Sequence, residues 1–319
     1  MKILITGGAG FIGSHLAERL LDEGHEISII DDLSTGRLSN ISEININVYC
    51  WFSSILNEEI MERVISETDQ IYHLAAVVGV KKVMDEPIQT LQINTKGTEI
   101  ILKLASKYNK KILIASTSEV YGKNHSFSED SDRILGSVKK RRWAYACSKT
   151  LDEFLALAYY DEKKLPVVIA RLFNTVGPRQ LSNYGMVVPN FIEQALSNQP
   201  IVIHGDGMQT RSFCHVKDTI EILIKLMNEP KAEGEIVNVG NDFEVSINEL
   251  AFIIRNTTGS NSEIKHIPYE QVYNKGFEDM QNRRPDLSKM ISLTGYIPKY
   301  DLKDIIKDII LEKIQCGVK

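Results

Sequence analysis

The chain has 319 residues, of which 43% are hydrophobic and 25% are charged, and this is the composition of a globular protein. Its net charge of −5 argues against binding to nucleic acid or to an anionic membrane, and no apolar run is long enough to span a bilayer. The four cysteines and seven histidines lack metal-binding spacings, so no metal is expected. The N-terminus begins as a strand rather than a signal peptide, and we therefore expect a cytoplasmic protein.

Short apolar runs alternate with helical patterns through the first half of the chain. Strands are predicted at "KILITG", "EISIIDD", "QIYHLAA", "KILIAST" and "PVVIARLFN", and helices at "IGSHLAERLLDEG" and "NTKGTEIILKLASKY". Strands that alternate with helices predict an α/β fold, in which helices cover both faces of a parallel sheet.

The pattern changes after Asn174. A loop-like stretch, "TVGPRQLSNYGMVVPN", precedes a predicted helix at "NFIEQALSN", and "FCHVKDTIEILIKLMNEP" and "EIVNVG" then return to the sheet. We expect residues 1–174 plus about 213–240 to form one domain. Residues from about 175–212 plus 241–319 are expected to form a smaller mixed α/β lobe.

A glycine-rich turn, "TGGAGFIG", joins the first strand to the first helix. Gly7 allows the tight turn, Gly10 lets the backbone approach a pyrophosphate, and Gly13 lets the helix pack on the strand. The helix N-terminus then provides N–H groups for phosphates. Asp31 ends the second strand, where a carboxylate accepts hydrogen bonds from ribose hydroxyls and favours NAD over NADP. Arg37 is the nearby residue that could instead pair with a 2′-phosphate.

Tyr145 and Lys149 in "YACSK" are four residues apart and lie on one face of a predicted helix. An ammonium group near a phenol favours the phenolate, so this tyrosine could take a proton from a sugar hydroxyl. An ordinary amphipathic helix with a chance tyrosine and lysine is the alternative for this spacing alone.

An apolar stripe follows on the same predicted helix, and it consists of Leu151, Phe154, Leu155 and Ala158. The simpler interpretation of the stripe is that it packs in the core of the protein. The more specific interpretation is that it forms a dimer interface. Cys147 lies close to the candidate chemistry, and we expect it to be a small buried residue.

These motifs resemble the extended short-chain dehydrogenase/reductase family that modifies nucleotide sugars. In the family's order the chain carries "TGGAGFIG", "HLAA", "NTKGT", "STSEVYG", "YACSK", "RLFNTVGPR" and "GDGMQTRSF", which together extend over nearly its whole length. The resemblance implies a Rossmann doubly wound parallel sheet with tightly held NAD, a smaller lobe for a UDP-sugar, and a homodimer.

The resemblance also implies roles for individual residues. Thr117 would orient the sugar C4 hydroxyl, Tyr145 would be the base, and Lys149 would hold the nicotinamide ribose. The implied cofactor-binding residues are Gly7, Gly10, Phe11, Ile12, Gly13, Asp31, Asp32, Leu74, Ala75, Ala76, Asn94, Tyr145 and Lys149. The implied substrate-binding residues are Asn174, Val188, Arg211 and Arg283. The stretch "YCWFSSI" lacks the family's adenine-contacting aspartate, which leaves Ser53 or Ser54 as its replacement.

Oxidation at C4 opens three reactions: 4-epimerisation, dehydration through C5 and C6, and loss of CO₂ from a uronate. Ser118 and Glu119 follow Thr117. At this position in the family, epimerases carry small hydroxyl residues, and 4,6-dehydratases carry an Asp–Glu pair. The Ser–Glu arrangement resembles UDP-glucuronate decarboxylases, and the resemblance therefore implies catalytic roles for both residues.

Two further stretches, "VKKRRWAYACSK" and "NKGFEDMQNRRPD", resemble the same branch. In that branch the arginine that matches Arg283 faces the substrate carboxylate and is counted with the catalytic residues. Alternatives stay open for each feature. Glu119 could be structural, Arg283 and Arg284 could bind only the diphosphate, and the basic run from Lys139 to Arg142 is expected to be a solvated lid.

Decarboxylation of a UDP-uronate is therefore the favoured reaction. A UDP-N-acetylhexosamine dehydratase or isomerase and a UDP-sugar 4-epimerase remain the alternatives. A non-catalytic NAD-binding sensor or scaffold is a remote one, because such proteins usually lack the tyrosine or the lysine.

Overall fold

The computed structural model describes residues 1–182, 185–272, 280–281 and 283–315. Of the sequence motifs, "NKGFEDMQNRRPD" lies partly outside these residues, and Cys316 lies wholly outside them. The strands are β1 (Lys2–Thr6), β2 (Glu26–Asp31), β3 (Val48–Phe52), β4 (Gln70–His73), β5 (Lys111–Thr117), β6 (Val167–Leu172), β7 (Thr175–Val176), β8 (Ile201–His204), β9 (Thr210–Ser212), β10 (Cys214–His215), β11 (Ile236–Val239), β12 (Glu244–Ser246) and β13 (Ile264–Ile267).

A seven-stranded sheet in the order β11-β6-β5-β4-β1-β2-β3 forms the larger lobe. All its strand pairs are parallel, with Ile5 of β1, for example, opposite Ile29 of β2 and Tyr72 of β4. The strand order reverses between β1 and β4, and ligands of doubly wound sheets bind in the crevice beyond the carboxyl ends of the strands at such a point. The predicted doubly wound parallel sheet is confirmed.

The helices that the structure describes, in both lobes, are α1 (Phe11–Asp22), α2 (Glu58–Ser66), α3 (Val80–Asp85), α4 (Pro87–Lys107), α5 (Trp143–Lys163), α6 (Val187–Leu196), α7 (Val216–Asn228), α8 (Ile247–Thr258), α9 (Tyr269–Val272), α10 (Ser288–Thr294) and α11 (Leu302–Gln315). Some of them cover both faces of the seven-stranded sheet. One core cluster includes residues of α1 and α7, and a second includes residues of α2, α4 and α5. Because both faces are covered, the strands are continuous apolar runs, as "KILIT" shows for β1.

A third core cluster gathers residues of α6, α8 and α11 with strands of three two-stranded sheets. The strand pairs in these sheets are β10-β7, β12-β9 and β13-β8. Ser246 begins α8 with a capping box, in which its hydroxyl accepts from Glu249 N and the Glu249 side chain accepts from Ser246 N. We propose that this cluster is the core of the smaller lobe predicted from residues 175–212 and 241–319.

One stretch departs from the predicted division. Leu287, Met290 and Tyr296 are buried in the core of the larger lobe, around α10. The phenol of Tyr296 donates to Asp218 Oδ1 on α7 at 2.8 Å. The segment around α10 therefore packs against the larger lobe. The sequence did not predict this contact, because the three buried residues are separated along the chain and form no strand pattern.

Candidate active site

A cavity of about 250 Å³ lies at the carboxyl ends of β1, β2 and β4, where the strand order reverses. It brings together most of the residues predicted to bind the cofactor. They are Gly7, Gly10, Phe11, Ile12, Gly13, Asp31, Asp32, Leu74, Ala75, Ala76 and Tyr145. Ser53 also lines this cavity, so of the two serines considered for the adenine contact it is the one in position.

The turn between β1 and α1 requires glycine on steric grounds. Gly7 has a φ of +72°, and a Cβ built on it would lie 2.9 Å from the backbone nitrogen of Ala75. A Cβ on Gly13 would lie 2.2 Å from the Gly7 carbonyl oxygen. The backbone is thus open to the cavity at the N-terminus of α1, where N–H groups can receive a pyrophosphate.

Asp31 forms the acidic edge of this cavity. Its carboxylate accepts from the backbone N–H groups of Ala9 at 3.0 Å and Leu33 at 2.8 Å. Burial raises the pKa of Asp31, and these two hydrogen bonds oppose the rise. The cradle and the carboxylate fit the pyrophosphate and a ribose of NAD. Arg37 is exposed and stands outside the described lining of the cavity, which disfavours a 2′-phosphate.

Two residues predicted to contact the cofactor lie behind the cavity wall instead. Asn94 is buried, accepts from Val77 N at 2.8 Å and donates to Ser148 Oγ at 3.2 Å. It therefore fixes Val77, which lines the cavity. Lys149 is buried, and its Nζ lies 3.0 Å from Asp152 Oδ2. Neither Asn94 nor Lys149 is among the described lining residues, and their contact with the cofactor stays a prediction.

Asp152 is a site residue that the sequence motifs did not single out. Burial raises its pKa, and the charge of Lys149 and a hydrogen bond with Thr98 oppose that rise. The only signal in the sequence is an acidic residue three positions after Lys149, on the helix face that turns inward. A buried carboxylate therefore holds the Lys149 ammonium, one helical turn after Tyr145.

A larger cavity of about 450 Å³ adjoins the first and extends toward the smaller lobe. Its lining includes Ser118, Glu119 and all four predicted substrate-binding residues, which are Asn174, Val188, Arg211 and Arg283. Thr117 and Tyr145 line both cavities. A sugar held in the larger cavity can therefore present C4 to these two hydroxyls and to a nicotinamide at the same point.

The environment of Tyr145 opposes the loss of its proton. Burial is the largest cause that raises the pKa of Tyr145 above its usual range, and the nearby charge of Glu119 adds to it. A hydrogen bond with Thr117 and the charge of Arg283 act in the opposite direction. Burial and negative charge thus disfavour the phenolate at this position, and positive charge favours it.

Glu119 lines the larger cavity and lies between two arginines. Its Oε1 is 3.5 Å from Arg283 Nη2 and 3.8 Å from Arg142 Nη2. The solvated lid predicted for Lys139 to Arg142 is wrong for Arg142, which is only 3% exposed. Arg142 immediately precedes α5, and its guanidinium lies 5.7 Å from the ring centroid of Trp143. The side chain is therefore held inward beside an aromatic ring.

A buried polar network lies directly beneath these residues. Glu153 on α5 accepts from Ser116 Oγ at 2.5 Å and makes a two-pronged pair with Arg171 of β6, with both N–O distances 2.9 Å. Arg171 also donates to Tyr121 OH at 2.8 Å, and that phenol donates to Asn238 Oδ1 at 2.7 Å. The network thus joins both ends of "STSEVYG" to β6 and β11.

Asn238 extends this network to the segment that carries Arg283. Its side-chain amide donates to the carbonyl oxygens of Phe127 at 2.8 Å and Asp286 at 3.1 Å. Ser212 Oγ donates to the carbonyl oxygen of Arg283 itself at 2.9 Å. These bonds fix the backbone that brings Arg283 to the cavity.

Two expectations for α5 fail in whole or in part. Cys147 is exposed rather than buried. Core packing holds for Leu155, which packs against the core of the sheet, but not for the other three residues of the apolar stripe: Leu151 is 54% and Phe154 is 62% exposed, and Ala158 is exposed as well. The buried face of α5 carries Asp152, Glu153 and Ala156 instead, so polar pairs occupy positions where apolar residues were expected.

Within the described residues, no group of histidine, cysteine or acidic side chains is arranged to hold a metal ion. The same part of the chain contains no helix with the length and hydropathy of a membrane span. The cytoplasmic location stays a prediction.

A dinucleotide cradle joined through Thr117 and Tyr145 to a cavity with arginines defines an NAD-dependent enzyme that modifies nucleotide sugars, of the extended short-chain dehydrogenase/reductase type. Comparison with known proteins supports this class. Residues 4–309 match the family model described as GDP-mannose 4,6 dehydratase, and the chain belongs to that family.

Its relatives include a UDP-N-acetyl-alpha-D-glucosaminuronate decarboxylase of Bacillus cytotoxicus, which is 44% identical over 311 residues that cover 97% of this chain and 96% of that protein. A UDP-glucuronic acid decarboxylase 1 of Xenopus tropicalis is 38% identical over 95% of this chain and 70% of its own length. Among solved structures, a UDP-glucuronic acid 4-epimerase from Bacillus cereus, in complex with UDP-glucuronic acid and NAD, is similar with a TM-score of 0.89 and 30% identity, over 99% of this chain and 100% of that chain.

Proposed function

We propose that this protein decarboxylates a UDP-uronate, and that UDP-N-acetylglucosaminuronate is its preferred substrate. The products are CO₂ and the corresponding UDP-N-acetylpentosamine. The observation that carries the proposal is the position of Glu119, Arg142 and Arg283 in the cavity that also contains Thr117 and Tyr145. Two relatives named as uronate decarboxylases, at 44% and 38% identity, support the same reaction.

Catalysis begins at the sugar C4 hydroxyl. Thr117 orients this hydroxyl, and Tyr145 takes its proton. The cavity at the glycine turn and Asp31 would hold NAD, which would supply the hydride chemistry needed at C4. Lys149 lies one helical turn after Tyr145, and its ammonium, held by Asp152, would favour the tyrosinate. The sugar is then a 4-ketone, and its C6 carboxylate lies β to that ketone.

Loss of CO₂ breaks the C5–C6 bond and moves its electron pair toward the C4 oxygen. Thr117 and the now protonated Tyr145 face that oxygen and can stabilise its negative charge by hydrogen bonds. The raised pKa of Tyr145 suits this step, because the phenol keeps the proton that it received. A proton from solvent then adds to C5, and reduction at C4 yields the pentose.

A second candidate is 4-epimerisation of the same UDP-uronate. It is favoured by the likeness to the UDP-glucuronic acid 4-epimerase structure, which shares 30% of its sequence with this chain. Both reactions pass through the 4-ketone and differ in whether the C5–C6 bond survives. The substrate cavity must suppress the loss of CO₂ in an epimerase and permit it in a decarboxylase.

Incubation of the purified protein with four UDP-sugars tests the proposal. They are UDP-N-acetylglucosaminuronate, UDP-glucuronate, UDP-N-acetylglucosamine and UDP-glucose, and the products are identified by NMR. We expect a UDP-pentose and CO₂ from the uronates, with the N-acetylated uronate consumed faster. A six-carbon uronate inverted at C4 would establish the epimerase instead, and turnover of the neutral sugars alone would exclude both candidates.

We also propose that the protein is a homodimer that buries the exposed faces of α4 and α5. Leu151 and Phe154 project from α5, and Ile88 (71% exposed) and Leu91 project from α4, which packs beside it. Exposed apolar side chains on two adjacent helices are typical of a protein interface. Light scattering of the Phe154→Glu variant should give the monomer mass while the parent gives the dimer mass, and a parent that is monomeric would refute the proposal.

A further inference from the structure

Arg142 reaches the substrate cavity from a different side than Arg283. It precedes α5 in the larger lobe, and its guanidinium lies in the cavity wall together with Ser118 and Tyr145. Arg283 comes from the segment fixed by Ser212 and reaches the same oxygen of Glu119. The guanidiniums of two separate segments therefore converge on one carboxylate, in the cavity that Thr117 and Tyr145 also line.

We propose that Arg142 is a second carboxylate-binding residue, which selects uronates together with Arg283; this inference rests on the proposed function. The planar guanidinium donates two parallel hydrogen bonds to a carboxylate, and such charge-assisted bonds are strong in a water-poor cavity. Both guanidiniums already lie within 4 Å of one carboxylate, that of Glu119. A C6 carboxylate placed beside Glu119 meets the same two cations.

Glu119 has a complementary task in this arrangement. A tight ion pair with the substrate carboxylate stabilises the ground state, and by itself it opposes the loss of neutral CO₂. When CO₂ leaves, the negative charge of the substrate carboxylate moves to the C4 oxygen. Because Glu119 lies between the two arginines, their guanidiniums still have an anionic partner after that step. Arg142 should therefore contribute mainly to binding of the uronate, and its loss should raise KM more than it lowers kcat.

The test measures dissociation constants by calorimetry on NAD-bound protein in a Tyr145→Phe background, which prevents turnover. The ligands are UDP-N-acetylglucosaminuronate, UDP-N-acetylglucosamine and UDP. We expect Arg142→Gln to reduce the preference for the uronate over the neutral sugar by about tenfold or more, equivalent to about 1.4 kcal/mol. Affinity for UDP and for the neutral sugar should stay at the parent value. Arg141→Gln is the matched control, because Arg141 is the exposed neighbour, and it should preserve the preference.

An unchanged preference in Arg142→Gln would overturn the proposal. Equal weakening of all three ligands would overturn it as well, because Arg142 would then serve the diphosphate or the fold. Arg142→Met keeps an unbranched apolar side chain without the guanidinium, and it is the second variant if the glutamine variant binds nothing. It must lose the preference for the uronate while it retains affinity for UDP. A parent protein with no preference for the uronate would refute the proposed function itself, which is a separate result.

Discussion

The pair between Glu153 and Arg171 gives a stability prediction that the structure quantifies. Glu153 is 1% and Arg171 is 0% exposed, and the two side chains are joined by two bonds of 2.9 Å. In Arg171→Met the Glu153 carboxylate stays buried with Arg133 as its remaining cationic partner. Removal of one member of a buried ion pair costs about 3–5 kcal/mol.

The corresponding change in melting temperature follows from the chain length. An unfolding entropy of about 2.1 cal/mol/K per residue over 319 residues gives a decrease of roughly 5–8 °C. Differential scanning calorimetry and urea unfolding measure this change. Adding Glu153→Gln to Arg171→Met removes the buried charge that Arg133 alone would balance, and the double variant should recover at least about 2 kcal/mol.

Arg284→Met is the matched control for this cycle. Arg284 and Asp242 form a pair at 3.3 Å, but both side chains are more than half exposed, so we expect a change below about 0.5 kcal/mol. The reasoning fails if Arg171→Met loses less than about 1 kcal/mol, or if the two substitutions at the buried pair are simply additive. Either result would mean that the network is not a coupled unit beneath the active site.

Four further predictions concern the chemistry and its pH dependence. Tyr145→Phe should lower turnover by about 10²- to 10⁴-fold and leave NAD bound, as read from coupled CO₂ release and cofactor absorbance. Glu119→Gln should slow CO₂ release more than C4 oxidation in single-turnover experiments, and equal loss of both steps would assign Glu119 a structural role. The same variant should move the pH profile of oxidation to lower pH, because it removes a charge that raises the pKa of Tyr145. NAD affinity should fall as the pH is lowered, since the raised pKa of Asp31 lets its carboxyl group protonate early, and Asp31→Asn should bind NAD weakly with no such pH dependence. Burial lowers the pKa of His15 to about 4, so protons bind its imidazole preferentially in the unfolded chain. The free energy of unfolding should therefore fall by roughly 3 kcal/mol as the pH drops from 6.5 to 4. In His15→Gln the free energy of unfolding should depend less on pH over this range.

The sequence predicted the parts of the site that depend on parallel-sheet geometry. The glycine turn, Asp31 and Thr117 each follow a strand, and the carboxyl ends of parallel strands share one edge, so their convergence could be foreseen. The spacing of Tyr145 and Lys149 was also visible, because it lies within one helix.

Contacts between distant segments could not be read in the same way. The burial of Arg142 depends on how the chain enters α5, and the pairing of Glu153 with Arg171 joins a helix to a neighbouring strand. The polarity pattern of α5 was misleading for the same reason. Its inward positions carry charges that are paired across the lobe, while Leu151 and Phe154 face outward.

The most direct test of the proposed reaction is a turnover of UDP-N-acetylglucosaminuronate labelled with ¹³C at C6, carried out in D₂O and followed by NMR. We predict one labelled CO₂ per substrate consumed, a UDP-N-acetylpentosamine with one deuterium at C5, and no net reduction of NAD. A product that keeps the labelled carbon, whether inverted at C4 or dehydrated, would contradict decarboxylation by the Glu119 site.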